Sequence, residues 1–129
     1  MIFKQHLKVM VVDDHRTSRM VICDALAELG INQITYACDG EDALKTMMAT
    51  PCHMIISDFN MPKLDGLQLL KAIRTYGPTQ RTPFIILSGR GDRELVQKAA
   101  SLGVNNFLVK PITPPVLKSS IEAVIGRLQ

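Results

Sequence analysis

Five short apolar runs alternate with five helix-length amphipathic segments along the chain, and this alternation limits the possible folds more than any other feature. The runs are four or five residues long and mostly rich in Val, Ile, Leu and Phe, which is typical of strands buried on both faces. They cover residues 8–12, 33–37, 54–57, 84–87 and 106–109. Strict alternation predicts right-handed crossovers and a parallel sheet with helices on both sides. We therefore expect a three-layer α/β domain.

Apolar spacing and capping residues place the helices between the runs. Gly30 stands where a helix-terminating glycine is favoured, and Asp39 and Asp65 stand at helix N-cap positions. Thr113 followed by Pro114 reads as an N-cap with proline at the first helical position. The last segment predicts a helix with one apolar stripe, formed by Leu117, Ile121, Val124, Ile125 and Leu128.

Length and composition indicate one ordinary globular domain. The 129 residues amount to one domain, 1–129, with a core over about 8–128, and 47% hydrophobic with 21% charged residues argues against disorder. A membrane span needs about twenty apolar residues, far more than the longest run, so no span is expected. The amino terminus lacks the apolar stretch and small-residue cleavage site of a secretory signal. We expect a cytoplasmic protein.

Charge and cysteine content argue against nucleic-acid binding and against a metal site built from cysteines. Fifteen Lys and Arg against twelve Asp and Glu give a net charge of +3, and the basic residues are scattered, so nucleic-acid binding is not expected. The three cysteines cannot all pair and show no metal-ligand spacing. They are interpreted as reduced thiols.

Polar residues follow four of the five runs at the point where each predicted strand ends. Asp13 and Asp14 follow the first run, Asp58 the third, Ser88 the fourth and Lys110 the fifth. Because parallel strands share one carboxyl edge, where such sheets bind ligands, these side chains should lie together.

Three carboxylates in one crevice repel each other and favour a hard divalent cation. Mg²⁺, or Mn²⁺ in its place, is held by carboxylates and phosphate oxygens. A carboxylate beside such a cation can act as a nucleophile toward a phosphoryl group, and an ammonium can neutralise the transferred oxygens. The set of residues therefore fits acceptance of a phosphoryl group onto an aspartate.

At these residues the chain resembles the response-regulator receiver domain, most closely the single-domain chemotaxis (CheY-like) type. The motifs that carry the resemblance are VVDD at 11–14, SDFNMPKLDG at 57–66, LSG at 87–89 and FLVKP at 107–111. Together they extend the resemblance over essentially the whole chain, from residue 8 to about 128. The resemblance implies a doubly wound (βα)5 sheet of the flavodoxin/CheY-like kind, with strand order 2-1-3-4-5.

The resemblance also implies roles for the residues at the strand ends. Asp58 would be the phosphoacceptor, attacking a phosphohistidine on a histidine kinase. Asp14 and Asp58 would bind Mg²⁺ directly with the backbone carbonyl of Asn60, and Asp13 would act mainly through a coordinated water. Lys110 would pair with the aspartyl phosphate.

Further residues are implied to switch or flank the site. Ser88 would move toward the phosphoryl oxygens, and Phe107 would turn from an exposed to a buried rotamer, changing the face made by the fourth helix, fifth strand and fifth helix. The peptide bond preceding Pro111 is expected to be cis. Gly89 stands where the family prefers alanine, and Arg90, together with the residue two after the phosphoacceptor, is expected to influence the acyl-phosphate lifetime.

The function implied is that of a two-component response regulator in chemotaxis or flagellar motor control, not of an enzyme beyond self-phosphorylation and autodephosphorylation. Its partners would be a histidine kinase, a downstream protein such as a flagellar switch component, and a phosphatase. Phosphate-sink and phosphorelay roles stay open, as does a receiver domain excised from a larger regulator or hybrid kinase.

Two other classes fit the residues less well. An aspartyl phosphatase usually has a second aspartate two residues after the nucleophile, and this chain has Asn60 there. A flavin-binding module needs a hydroxyl- and glycine-rich phosphate loop after the first strand, where this chain has the Asp13 and Asp14 pair.

Overall fold

A parallel five-stranded sheet in the order β2-β1-β3-β4-β5 forms the centre of the molecule. The computed structural model describes residues 3–129. The strands are β1 (Lys8–Val12), β2 (Gln33–Ala37), β3 (Met54–Asp58), β4 (Phe84–Ser88) and β5 (Asn106–Val109). This arrangement confirms the predicted fold class and strand order.

In the described residues, four α-helices connect the strands and a fifth follows β5, and together they cover both faces of the sheet. They are α1 (Arg16–Glu28), α2 (Gly40–Ala49), α3 (Gly66–Thr75), α4 (Arg93–Ser101) and α5 (Pro114–Ile125), with short 3₁₀ turns at Lys4–His6 and Gly77–Thr79. Within the described residues, no helix is both long and apolar enough to cross a membrane.

Alternate strand residues point into two separate cores. Val9 and Val11 of β1 pack with α1 and α5 on one face, where Ile22 and Leu117 are buried. The neighbouring β1 residues face the opposite core, which contains buried residues of α2, α3 and α4. The period-2 geometry of a strand produces this division, because successive side chains leave opposite faces of a sheet.

Burial on both faces is confirmed for the central strands and is wrong for the edge strands. Every residue of β3 and β4 is buried, as is β1 after its first residue. In β2 only Ala37 is fully buried, and no residue of β5 is. The reason is topological, since β2 and β5 each pair with one neighbour and form the two edges of the sheet.

Three boundaries differ from the sequence prediction. The third and fourth strands each extend one residue further than predicted and include Asp58 and Ser88. Helix α5 ends at Ile125, because Gly126 adopts φ +98° and turns the chain. Leu128 therefore lies outside the helix, although its side chain still packs into the α1–α5 core.

Most of the predicted helix-terminal residues act as expected. Asp39 accepts a hydrogen bond from the Asp42 amide at 2.8 Å, and Asp65 forms a reciprocal capping box at the start of α3. Gly30 has the predicted positive φ, at +89°. Thr113 occupies the N-cap of α5 but forms no side-chain capping bond.

Candidate functional site

The carboxyl ends of β1, β3, β4 and β5 bring the predicted polar residues to one crevice. Asp58 and Ser88 are the last residues of two fully buried strands, so their backbones are fixed by the sheet. The Asp13 amide donates to the Ala37 carbonyl at 3.1 Å, and the Lys110 amide donates to the Ser88 carbonyl at 2.8 Å. The backbones of Asp13 and Lys110 are therefore each held by the neighbouring strand.

Three aspartates and one histidine form a compact cluster in this crevice. Ligand atoms of Asp13, Asp14, His15 and Asp58 lie within 4.8 Å of one another. Asp13 is fully buried, Asp58 is 6% exposed, and the Asp14 side chain is 24% exposed. The imidazole Nδ1 of His15 lies 3.2 Å from Asp14 Oδ1.

The donors of this cluster fit a hard divalent cation. Asp13 Oδ2 and Asp14 Oδ1 are buried and accept no hydrogen bond from the part of the chain that the structure describes. Such orphaned carboxylate oxygens are costly unless a cation balances them. Mg²⁺ is typically bound through one or two carboxylates together with waters and phosphate oxygens, and Mn²⁺ also favours oxygen ligands.

Lys110 provides the positive charge of the site. Its Nζ lies 3.0 Å from Asp58 Oδ1 and 3.8 Å from Asp13 Oδ2, and its side chain is 27% exposed. Burial raises the pKa of Asp58 above its usual value, the hydrogen bond and charge of Lys110 oppose this rise, and Asp13 adds to it. The ammonium thus offsets part of the free-energy cost of a buried carboxylate.

The two predicted switch residues are near the crevice but engaged elsewhere. Ser88 is buried, and its hydroxyl accepts a hydrogen bond from the Arg90 amide at 3.0 Å rather than contacting the Asp58–Lys110 pair. Phe107 is half-buried and packs against the core on the α2–α3–α4 side of the sheet. It thus lies between the exposed and buried extremes that the resemblance implies.

The predicted flanking residues lie on exposed loops that follow the strands of the site. Asn60, Gly89 and Arg90 are exposed on the loops that follow β3 and β4. The Arg90 guanidinium pairs with the Asp92 carboxylate at 3.1 Å. The peptide bond preceding Pro111 is cis, which confirms the expectation.

A glycine fixes the loop after Asp58 against the start of α3. The Gly66 amide donates to the Phe59 carbonyl at 2.7 Å. A Cβ atom at Gly66 would lie 2.7 Å from the Asp58 carbonyl oxygen and 2.9 Å from the Phe59 Cα, both of them backbone atoms. The close approach therefore requires glycine.

Two residues of α1 that reach the site were missed from the sequence. Ser18 Oγ accepts a hydrogen bond from Lys110 Nζ at 3.0 Å, and Arg19 Nη1 donates to the Asp13 carbonyl at 3.0 Å. The available signal was the position of Ser18, four residues after Asp14 and four before the buried Ile22. A polar residue on that stripe faces the carboxyl edge of the sheet.

Comparison with known proteins agrees with this geometry. Residues 9–122 match the family of the response regulator receiver domain. A probable chemotaxis protein CheY of Rhizobium etli is 53% identical over 125 residues, covering 97% of each chain. The structure of CheY4 of Vibrio cholerae superposes with a TM-score of 0.85 at 31% identity, covering 92% of this chain and 98% of that one.

A further solved structure shows the same fold with ligands bound. It is the complex of CheX with CheY, BeF3 and Mg²⁺ from Borrelia burgdorferi, with a TM-score of 0.84 at 26% identity, covering 92% of this chain and 89% of that one. The family match spans most of the chain, and the relatives share both its length and its fold. The chain is therefore a response-regulator receiver domain of the CheY-like type.

Proposed function

We propose that this receiver domain accepts a phosphoryl group on Asp58 from a histidine kinase, with Mg²⁺ bound, and that the modified domain binds a chemotaxis protein. The observation that carries the proposal is the Lys110 ammonium, 3.0 Å from Asp58 Oδ1, inside a carboxylate cluster in which two buried oxygens accept no hydrogen bond from the described residues. A nucleophile, a fixed cation and oxygen donors for a divalent metal ion are what aspartyl phosphorylation requires.

In the proposed reaction an Asp58 carboxylate oxygen attacks the phosphorus of a phosphohistidine. An O–P bond forms and the P–N bond breaks, and its electron pair goes to the imidazole nitrogen, which is protonated from solvent. Lys110 stabilises the charge on the transferred oxygens, and the product is an acyl phosphate on the domain. Its hydrolysis by water would return Asp58 to the free carboxylate.

The metal site would be built from carboxylates and one carbonyl. Asp14, Asp58 and the backbone carbonyl of Asn60 would hold Mg²⁺ directly, with Asp13 acting through a coordinated water. Mn²⁺ could take the same place. When bound, the cation neutralises the carboxylates and the phosphoryl oxygens.

The output would be a change of the face formed by α4, β5 and α5. Ser88 would leave its bond to the Arg90 amide and turn toward the phosphoryl oxygens, and Phe107 would complete its burial. Moving a conformational equilibrium from 1:99 to 99:1 takes about 5.5 kcal/mol. Charge-assisted hydrogen bonds to a doubly charged phosphoryl group would supply much of this, and the bound partner the remainder.

The relatives guide the choice of partners. A CheY relative of 53% identity is named as a chemotaxis protein, and another CheY binds a second protein in its solved complex. We propose a histidine kinase as donor, a flagellar motor switch component as target and a phosphatase as a further partner. The domain would act in the cytoplasm, where its three cysteines stay reduced, and would not be an enzyme toward other molecules. A phosphate-sink or phosphorelay role is the second candidate.

The site assignment is tested by phosphorylating the purified protein with acetyl phosphate or phosphoramidate. With Mg²⁺, acid-quenched intact-mass spectrometry should show a gain of one phosphoryl group; without Mg²⁺ the gain should be lost. Asp58→Asn should gain none, because an amide is not a nucleophile. Asp24→Asn, an exposed α1 aspartate outside the cluster, is the matched control. A wild-type yield in Asp58→Asn would contradict the assignment.

A further inference from the structure

Ser18 interrupts an otherwise apolar stripe of α1. It is the third residue of the helix, and the residues that follow it at helical spacing, Ile22, Ala25 and Leu26, are buried in the core. An apolar residue is the ordinary occupant of such a position. The stripe reaches the carboxyl edge of the sheet at Ser18, so its hydroxyl lies where the core meets the site.

The hydroxyl of Ser18 has a defined partner across the molecule. Lys110 Nζ donates to Ser18 Oγ at 3.0 Å, the same distance that separates this ammonium from Asp58 Oδ1. The backbone of Lys110 is tied to β4 through the Ser88 carbonyl at 2.8 Å. The lysine is thereby held at three places, by β4, by the carboxylate that ends β3 and by the first turn of α1.

The surroundings of this contact are apolar on the α1 side. Ser18 and Lys110 adjoin a shallow cavity of about 410 Å³, which is also lined by Val21, Ile22, Pro111 and Ile112. An ammonium has three N–H donors and no acceptor. The ammonium therefore uses Ser18 Oγ as an acceptor beside this cavity, in addition to the carboxylate of Asp58.

We infer that Ser18 is a positioning residue, whose hydroxyl holds the Lys110 ammonium at the distance from Asp58 that phosphoryl transfer requires. The inference rests on the proposed function. Without the hydroxyl, the ammonium keeps its bond to Asp58 but loses the second acceptor that fixes its direction. It then moves toward the carboxylates and away from the place where the transferred oxygens arrive.

The test separates the hydroxyl from the shape of the side chain. The threonine and valine side chains have the same shape, but only threonine has a hydroxyl. Ser18→Thr and Ser18→Val therefore differ from each other in that group alone. Thr17→Val is the matched control, because Thr17 is the adjacent exposed residue of the same helical turn. For each protein, the initial rate of phosphorylation by acetyl phosphate is measured at saturating Mg²⁺ by intact-mass spectrometry, and the free energy of unfolding by urea titration.

We expect Ser18→Val to slow phosphorylation by about three- to tenfold, the effect of losing one hydrogen bond to a charged group that positions it. Ser18→Thr and Thr17→Val should stay within about twofold of wild type. A wild-type rate in Ser18→Val, or an equal loss in Ser18→Thr, would overturn the inference while leaving the proposed function intact. If the wild-type protein gains no phosphoryl group, the proposed function fails and the positioning role fails with it.

Discussion

At the scale of single residues, the Lys110 ammonium balances part of the negative charge of the crevice. Asp13 and Asp58 are buried side by side, and the chain supplies Lys110 between them. A surface lysine could be removed at little cost, but Lys110 lies where negative charge would develop during the proposed phosphoryl transfer.

We expect Lys110→Ala to slow phosphorylation by acetyl phosphate by at least tenfold, since a fixed donor at a developing charge is commonly worth more than that. The same change should uncouple any residual phosphorylation from the α4–β5–α5 face, seen as loss of the donor-induced amide shifts of Phe107 and Val109 in NMR spectra. Lys118→Ala, an exposed lysine of α5, should behave as wild type. Normal rates and shifts in Lys110→Ala would remove the lysine from the mechanism.

Some residues of the site could be placed from the sequence, and others could not. Asp13, Asp14, Asp58 and Lys110 could be placed together because each follows an apolar run, and parallel strands end at one edge. The α1 stripe could place Ser18 near this edge, but its contact with Lys110 could not be predicted, because the partner is 92 positions away and the contact depends on the rotation of α1 against the sheet. No local pattern fixes that rotation to within a side chain's length.

At the scale of elements, helix termini hold the loops around the site in place. The Asp39 carboxylate caps α2 and lies 3.7 Å from Lys63, a residue with positive φ in the loop after β3. The hydrogen bond from the Asp42 amide is the main cause that lowers the pKa of Asp39, with Lys63 acting in the same direction. The cap is therefore strongest when Asp39 is ionised.

The lowered pKa fixes the sign of a pH effect. The stability from the ionised cap is present above the unfolded carboxyl's pKa of about 3.9 and is lost as the pH falls through the lower folded value. Asp39→Ala should lower the free energy of unfolding by about 1 kcal/mol at neutral pH. Asp39→Asn, which keeps a capping oxygen without the charge, should lose less, and its deficit should shrink in urea titrations from about pH 5 to pH 3. A deficit that does not change with pH would contradict the charged cap.

The elements themselves were largely predictable, with errors of a specific kind. The short apolar runs located all five strands. The signal is clearest for the three central strands, because they are buried on both faces. It overstated the burial of β2 and β5, since position within the sheet is a tertiary property. The apolar spacing also predicted that α5 continues to Leu128. The helix ends earlier, but the Leu128 side chain returns to the same core after the chain has turned at Gly126.

At the scale of the whole molecule, the edge of the sheet opposite the site is held by one arginine. The Arg74 guanidinium donates to the carbonyls of Gly103, Gln80 and Thr82 and to the side chain of Asn105, at 2.6–3.2 Å. It connects α3 to the segment before β4 and to the turn before β5. A lysine cannot reproduce this planar set of bonds.

Arg74→Lys should therefore lower the free energy of unfolding by about 1–3 kcal/mol, measured by urea denaturation. The initial phosphorylation rate should stay unchanged, because Arg74 contacts only residues at the amino-terminal end of the sheet. Arg81→Lys provides an exposed control in the neighbouring loop. Equal free energies of unfolding for Arg74→Lys and wild type would show that the guanidinium hydrogen bonds add no stability beyond what a lysine provides.

The uneven burial of the strands has a mechanical consequence. Asp58, the proposed nucleophile, ends a strand in which every residue is buried, whereas Phe107 belongs to an edge strand with no fully buried residue. A stiff centre keeps the reactive atoms in register through many cycles of modification, and a compliant border can deform at small energetic cost. The sheet is therefore expected to be stiff at the end of β3, where the proposed modification takes place. It is expected to deform more easily at β5, on the face where a partner would bind.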